Sequence, residues 1–357
     1  MFKNKLILLT LLTVVVVVAA SIFVQLRAPQ SKIDKPLFFP ELAEQIESVN
    51  HIAIENYAGS VNLTQINDVW TIDEFDGYPA LPDKVKSAVL GAADLRVNAP
   101  KTALPRLYHR LGVEGFGEGK ESTSLLLTIK DKSSNDIVKV ILGKSRLSSA
   151  AQSSPGLYVR KPDDAQSYLV DGVVDVTVAK TDWIERSLFD IKKDAVKSIR
   201  IVHADGDSFT LFKDEKGQQS FQLQNLPAGK KLAPEIMINK FGSLLEDVQI
   251  NSARSKEKLQ APEEIIKAQI ITFDGIIADI VAFEFEGTPY TSFEFKFDEA
   301  FVSEDKEQVK ASIDDLNART ADWWFEIQEF KYDELKKRSD NVVRDNTTSL
   351  VEQAASN

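Results

Sequence analysis

The side chains best suited to chemistry are sparse and scattered. Histidine occurs three times, at His51, His109 and His203, with no two close in sequence, and cysteine does not occur at all. That leaves no disulfide framework, thiolate zinc site, iron–sulfur cluster or lipid-modified cysteine, and little from which to build a histidine metal site. His51 alternates out of phase with Ile52 and Ile54, which predicts a surface or edge position. His109 lies in the basic stretch Arg106–Arg110, and His203 ends a strand beside Ala204 and Asp205. Carboxylates are dense in Asp73-Glu74-Phe75-Asp76 and in Glu284-Phe285-Glu286. Such pairs could serve as acid and base in a hydrolase acting on envelope polymers. In an acidic chain they read first as solvated strand or turn faces.

Two glycine- or acid-containing loops fail on their spacing. Gly112, Gly115, Gly117 and Gly119 are not followed by Gly-Lys-Ser/Thr, so no phosphate loop is present. Asp131-Lys132-Ser133-Ser134-Asn135 opens like a calcium loop, but its sixth position is Asp136 rather than glycine and its twelfth is Leu142 rather than glutamate. A Gly-x-Ser-x-Gly elbow is absent. The four tryptophans, Trp70, Trp183, Trp323 and Trp324, could stack on a sugar or peptide, although their places in recurring elements read as core packing. These residues assign no catalytic, cofactor-binding or metal-binding position, and the expectation is a protein that is not an enzyme and uses no cofactor.

The 357 residues carry 43 Lys plus Arg against 54 Asp plus Glu, a net charge of −11, which argues against nucleic acid as a partner. Hydrophobic residues at 43% and charged residues at 27% are ordinary globular usage. At roughly 150 residues per domain, the length predicts about two domains.

At the N-terminus, Leu6 to Val24 runs without a charge, behind Lys3 and Lys5. As a helix this stretch spans about 28 Å, close to the hydrocarbon thickness of a bilayer. Leu6, Val14, Val18 and Val24 are therefore expected within a single-pass anchor in the cytoplasmic membrane, with residues 1–27 forming the tip and anchor. A cleaved signal peptide with Val18 and Ala20 ahead of Ser21 is the alternative, and the apolar run through Ile22, Phe23 and Val24 is long for one. A short cytoplasmic tip followed by a large body places residues 28 onward on the extracytoplasmic side. With Lys3, Lys5 and Arg27 set aside, that body carries −14.

Positioning elements recur about 150 residues apart. Val49–Ile54 resembles Val196–Ile201, each an alternating strand; Val61 and Leu63 correspond to Phe209 and Leu211; Trp70-Thr71-Ile72 corresponds to Phe221-Gln222-Leu223. A proline turn follows in each copy, at Pro79 and at Pro227. Then comes a helix, opened by Pro82 with Val85, Val89 and Ala93 on one face, and by Pro234 with Met237, Phe241, Leu244, Leu245 and Val248. Short strands are expected over Leu125–Ile129, Ile137–Leu142, Leu157–Val159 and Tyr168–Val170, and over Ile270–Phe273, Ile276–Phe285 and Phe293–Phe297. Each half closes on a tryptophan, Trp183 or Trp323, read as a helix start with Asp182 or Asp322 as N-cap. The expected fold is thus α+β: two tandem similar units, 49–190 and 191–335, each an antiparallel sheet with a packed helix. They follow the anchor and a linker over 28–48, and a polar tail over 336–357 ends the chain.

Trp70, the Tyr78-Pro79-Ala80 turn with Lys84-Val85, Leu111-Gly112-Val113, Leu142-Gly143-Lys144 and Gly156-Leu157-Tyr158-Val159-Arg160 stand in a familiar order. The chain resembles the bacterial domain-of-unknown-function family 4340 over residues 50 to 250. The resemblance implies a single-pass membrane protein found beside ABC-type transporter permeases and gliding-motility-type auxiliary proteins, and it carries no catalytic residues. The expected function is that of a membrane-anchored accessory module, its partner an ABC-type permease or auxiliary protein. An anchored Asp/Glu hydrolase and a sugar- or peptide-binding module are the alternatives.

Overall fold

The computed structural model describes residues 35–115, 122–147, 155–301 and 305–346. A short helix, α1 (Pro40–Glu44), precedes a meander of β1 (Val49–Asn56), β2 (Gly59–Ile66), β3 (Val69–Ile72) and β4 (Tyr78–Pro79). Next come α2 (Pro82–Ala93), β5 (Arg96–Pro100), α3 (Tyr108–Leu111), β6 (Leu125–Asp131), β7 (Asp136–Arg146), β8 (Gly156–Arg160) and β9 (Ser167–Asp171). After β10 (Ser187–Phe189) follow β11 (Val196–His203), β12 (Ser208–Phe212), β13 (Gln222–Leu223), β14 (Lys230–Leu232), α4 (Glu235–Ile238) and β15 (Val248–Ser255). The chain continues through β16 (Ile266–Thr272), β17 (Ile276–Phe285), β18 (Thr288–Phe297), α5 (Lys306–Thr320), β19 (Trp323–Ile327), α6 (Glu329–Leu335) and β20 (Val343–Asp345). The class is α+β, with large antiparallel sheets and few helices.

Among the described residues two compact units result, one within 35–49 and 87–176, the other within 50–86 and 177–346. In the first unit the strands run β5-β9-β8-β7-β6, all antiparallel. Ile129, Val138, Val140, Val159 and Val170 fill its core because alternate residues of each strand face the same way. The second unit holds the β4-β3-β2-β1 meander and a sheet ordered β10-β15-β19-β18-β17-β16-β11-β12-β13, with β14 and β20 paired apart from them. Edge-to-face aromatic contacts build its core: Phe189 against Phe293 at 5.0 Å and Phe295 at 5.2 Å, and Phe283 against Trp324 at 4.8 Å.

The strand order β5-β9-β8-β7-β6 recurs as β15-β19-β18-β17-β16, each number raised by ten. The hairpins agree in register as well. Ile52 faces Leu63 and Ile54 faces Val61, as Ile199 faces Leu211 and Ile201 faces Phe209. Leu63 then faces Ile72 as Leu211 faces Leu223.

The helices differ more from expectation. α2 opens at Pro82 and buries Val85, Ala88, Val89, Ala92 and Ala93, as its periodicity predicts. From Pro234, by contrast, only one α-turn forms before Asn239–Leu245 tightens to 3₁₀ geometry, which buries Phe241, Leu244 and Leu245 and leaves Met237 exposed. Neither Trp183 nor Trp323 starts a helix. Trp183 ends the 3₁₀ turn Lys180–Trp183, drawn inward with its indole N–H on the Thr177 carbonyl. Trp323 opens β19, because Trp324 and Phe325 are needed opposite Arg254 and Ala253 of β15. The longest helix among the described residues, α5, lies where no helix was expected. It seats Ile313 and Leu316 in the core, and the Asn317 amide brackets Phe295 of β18 by accepting from its N–H and donating to its carbonyl, both at 2.8 Å. Beyond Lys336 the chain remains ordered through β20, which pairs with β14.

Candidate functional site

The carboxylates of the Asp73–Asp76 run face three different ways. Asp73 accepts from the Thr64 hydroxyl at 3.0 Å, and Glu74 accepts from the Asn62 backbone N–H and side-chain amide. Asp76 adopts a left-handed backbone (φ 56°), which a short polar side chain tolerates. Its carboxylate accepts from Arg254 Nε at 2.6 Å and from the Ser255 N–H at 3.2 Å, with Lys258 Nζ 3.5 Å away. Burial pushes this carboxyl upward, but those hydrogen bonds and the two cations outweigh it and hold the group below the usual carboxylate range. A folded-state value below the unfolded one stabilises the fold above the unfolded value and is lost as pH falls through the folded value. Asp76→Asn, which keeps the left-handed turn, is therefore expected to cost about 1.5–3 kcal/mol at pH 7. Urea titrations in steps from pH 7 to pH 3 should show that deficit shrinking as the wild type loses the same contribution.

The loop that opens like a calcium site is a side-chain-capped turn. Asp131 accepts from the Ser133 and Asn135 backbone N–H groups, both at 2.8 Å, and from the Asn135 amide at 2.9 Å. Among the described residues no group of three His, Asp or Glu side chains is placed to hold a metal ion. The tryptophans are mostly structural. Trp183 and Trp324 are buried and donate to the Thr177 and Leu259 carbonyls, whereas Trp323 stacks edge-on to Tyr78 at 5.0 Å. Trp70 is half-buried in β3, facing Gln65. Its counterpart Phe221 is buried just before β13, with Lys213 Nζ 4.5 Å from the centre of its ring. Pro79 and Pro227 are exposed, Pro79 on β4 and Pro227 in a turn closed by the Lys230 N–H. Leu6, Val14, Val18 and Val24 lie outside the described residues, and no helix among those described is long and apolar enough to cross a membrane.

An open cleft of about 930 Å³ in the second unit is lined by residues far apart in sequence. β11 ends there at His203, whose Nε2 lies 2.9 Å from the Lys337 carbonyl. A carbonyl only accepts, so Nε2 carries a proton and donates it to the Lys337 carbonyl. In the sheet His203 pairs with Ile266 of β16, and Ile266 in turn with Ala282 of β17. That row sets Glu263 and Glu264, just ahead of β16, and Glu284, near the end of β17, on the cleft wall. α6 supplies Tyr332, which is 5% exposed, and Lys336 follows it. Burial, and then the charges of Glu284 and Asp333, push the Tyr332 phenol above its ordinary value.

A strap after α6 is pinned at the edge of this cleft. Arg338 pairs with Asp205 and, at 3.4 Å, with Asp207; Ser339 donates its hydroxyl to Asp207 at 2.6 Å and its N–H at 3.0 Å. The Ser339 hydroxyl is the main cause that keeps the Asp207 carboxyl low; burial opposes it, while the Ser339 N–H, Arg338 and His203 add to it. Of these residues only His203 and Glu284 stand out in the sequence. Glu263, Glu264, Tyr332 and Lys336 form no local pattern and meet only through strand pairing and the return of α6.

The family model of a domain of unknown function, DUF4340, matches residues 70–265. The chain belongs to the DUF4340 family. No curated protein matches it, and no solved structure does. The DUF4340 match takes in Glu263 and Glu264, whereas Glu284, Tyr332 and Lys336 lie beyond it.

Within the DUF4340 match, three of the short segments that carry the resemblance, Leu111-Gly112-Val113, Leu142-Gly143-Lys144 and Gly156–Arg160, converge in the first unit. Gly112 caps α3 in the left-handed region at φ 68°, and Gly143 packs so closely beneath it that a β-carbon would come 2.4 Å from the Leu111 carbonyl oxygen. Lys144 Nζ donates to the His109 carbonyl at 3.1 Å, and the buried Arg160 donates Nε to the Val113 carbonyl at 3.0 Å. Arg160 also lies 4.5 Å from the Tyr108 ring centre. Tyr108, Val113 and Ile141 form the small core beneath them. These residues hold backbone in place.

Proposed function

We propose that this DUF4340 protein is a membrane-anchored accessory module that presents its second unit to a component of an ABC-type transport system on the extracytoplasmic side. The uncharged run Leu6–Val24 supports the anchor, and the −14 of the remaining chain suits a solvated body. The repeated strand order and hairpin register support two tandem similar halves, 49–190 and 191–335, descended from one. The observation that carries the reading is the open cleft of the second unit. The polar clusters elsewhere that could have suggested chemistry are occupied in holding the fold: Asp76 by Arg254, Asp131 by its own turn, Arg160 by carbonyls. Glu263, Glu264 and Glu284 have no ion-pair partner among the described residues, and they face the cleft. A concave surface with uncommitted charge is suited to recognition.

The full-length protein, solubilised from membranes in mild detergent, should co-purify with a transporter permease or its auxiliary subunit. Recovery of the protein alone at equal yield would refute the accessory reading. Recovery in the soluble fraction without detergent would refute the anchor.

A further inference from the structure

Just past β12 the second unit buries a cation that no carboxylate or carbonyl holds. Lys213 is 5% exposed, yet among the described residues its Nζ has no hydrogen-bond acceptor and no ion-pair partner, and it lies 4.5 Å from the centre of the Phe221 ring. Buried ammonium groups are normally paired. Burial pushes this one below its ordinary value; the charge of Asp194 works against that shift, and the charge of Lys193 works with it. The hairpin itself does not require a cation here. Lys213 stands two residues beyond Leu211 as Gln65 stands two beyond Leu63, and in that first copy a neutral amide faces Trp70.

A second observation points to a ligand. Lys213 lines a cavity of about 70 Å³ together with Lys193, Asp194, Gln219, Phe221 and Asn239. The Asn239 amide nitrogen donates to the Glu235 carboxylate at 3.3 Å, and a carboxylate can only accept, so the amide cannot be turned round. Its Oδ1 is thereby left buried with no partner. Buried acceptors normally find one. An unpaired donor and an unpaired acceptor therefore border one small space, where two lysines stand against one aspartate. A ligand that satisfies both offers an anionic oxygen to the ammonium and an O–H to the amide oxygen. Chloride and acetate lack the O–H, and water lacks the charge. The cavity holds roughly five to seven water-sized positions at about 10–15 Å³ each, enough for a small ion and too few for a sugar or nucleotide.

We infer that this cavity binds a small protic oxyanion, with Lys213 as its charge partner and Asn239 Oδ1 as the acceptor of its O–H. Hydrogen carbonate and inorganic phosphate share that chemistry.

Isothermal titration calorimetry on the full-length chain in uncharged detergent separates them, with sodium hydrogen carbonate, sodium phosphate and sodium acetate titrated at pH 8 and constant ionic strength. Saturable binding of either oxyanion without binding of acetate supports the inference, and the tighter probe names the ion. Lys213→Gln, which copies the residue of the first half, should weaken the bound oxyanion by at least about tenfold, and Asn239→Ala by several-fold, because a hydrogen bond to a charged group contributes at that scale. Lys267→Gln, an exposed position on β16, should leave the affinity unchanged. Circular dichroism verifies that each variant is folded; should Lys213→Gln fail to fold, the contrast between the oxyanions and acetate on the wild type decides alone. No saturable heat with either oxyanion would overturn the inference, as would acetate binding equally well or unaltered affinity in folded Lys213→Gln. Co-purification with a permease tests the accessory reading separately, whichever way these titrations fall.

Discussion

Replacing Trp183 with alanine is expected to lower the stability of the second unit by about 3–5 kcal/mol, the range for emptying a large aromatic from a packed interior. Trp183 is fully buried, and its indole N–H satisfies the Thr177 carbonyl at 3.0 Å. Its own carbonyl accepts from the Leu81 N–H at 2.7 Å, and Lys84 Nζ lies 5.2 Å from the ring centre. Through its ring and its own backbone carbonyl, this one residue ties the chain entering α2 to the chain leaving Thr177, two segments of the same unit. Trp183→Phe should recover most of the apolar burial and still leave the Thr177 carbonyl without its donor, so an intermediate loss of about 1–3 kcal/mol is expected. Chemical denaturation gives the ranking. Hydrogen exchange at the Leu81 amide should accelerate in the alanine variant more than at amides of the first unit. Equal stability of Trp183→Ala and wild type would show that the site collapses around the missing ring and that Trp183 does not tie the unit together.

How far the fold could be read from sequence depended on whether its causes were local. β1 and β2 were legible because large aliphatic residues recur at every second position, Ile52 and Ile54, Val61 and Leu63, and the core face of a strand imposes that period. The same alternation at Ile199, Ile201, Phe209 and Leu211 disclosed the recurrence. α5 was hidden because its buried stripe is thin and its anchor, Asn317, is a polar residue whose value lies in bracketing Phe295 on another element. Trp183 and Trp323 misled in a related way. An aspartate before an apolar residue resembles an N-cap, but burial of Trp183 and pairing of β19 with β15 overrode that local preference.

The candidate site was less legible than the fold. Asp73, Glu74 and Asp76 look like a cluster in sequence, yet a turn separates their side chains toward Thr64, Asn62 and Arg254. Glu264, Glu284 and Tyr332 form no cluster in sequence, yet the β11-β16-β17 row and α6 bring them to one cleft. Asp73–Phe75 forms a single 3₁₀ turn that ends in the left-handed Asp76, so side chains adjacent in sequence leave it in different directions.

In the first unit, Arg160→Leu is expected to cost about 3 kcal/mol, although no carboxylate partner is lost. The guanidinium is buried and donates to the Val113 carbonyl at 3.0 Å and the Pro162 carbonyl at 3.1 Å, with the Asp164 carbonyl at 3.3 Å. Removing it strands acceptors that worked loops cannot readily pair otherwise, at about 1–3 kcal/mol for each one left buried. Tyr108 loses the cation beside its ring at the same time, while its hydroxyl stays fixed to the Ala165 carbonyl at 2.6 Å. Arg160→Lys should restore less than half of the loss, because a single ammonium cannot span carbonyls that the flat guanidinium reaches from both Nε and a terminal nitrogen. Since arginine stays charged throughout the accessible range, the deficit should be the same at pH 5 and pH 9, unlike that of Asp76→Asn. Full rescue by lysine would mean that charge alone matters at this position. The fork geometry predicts otherwise: what Gly112, Gly143 and Arg160 share is the holding of backbone at close quarters, where shape decides more than charge.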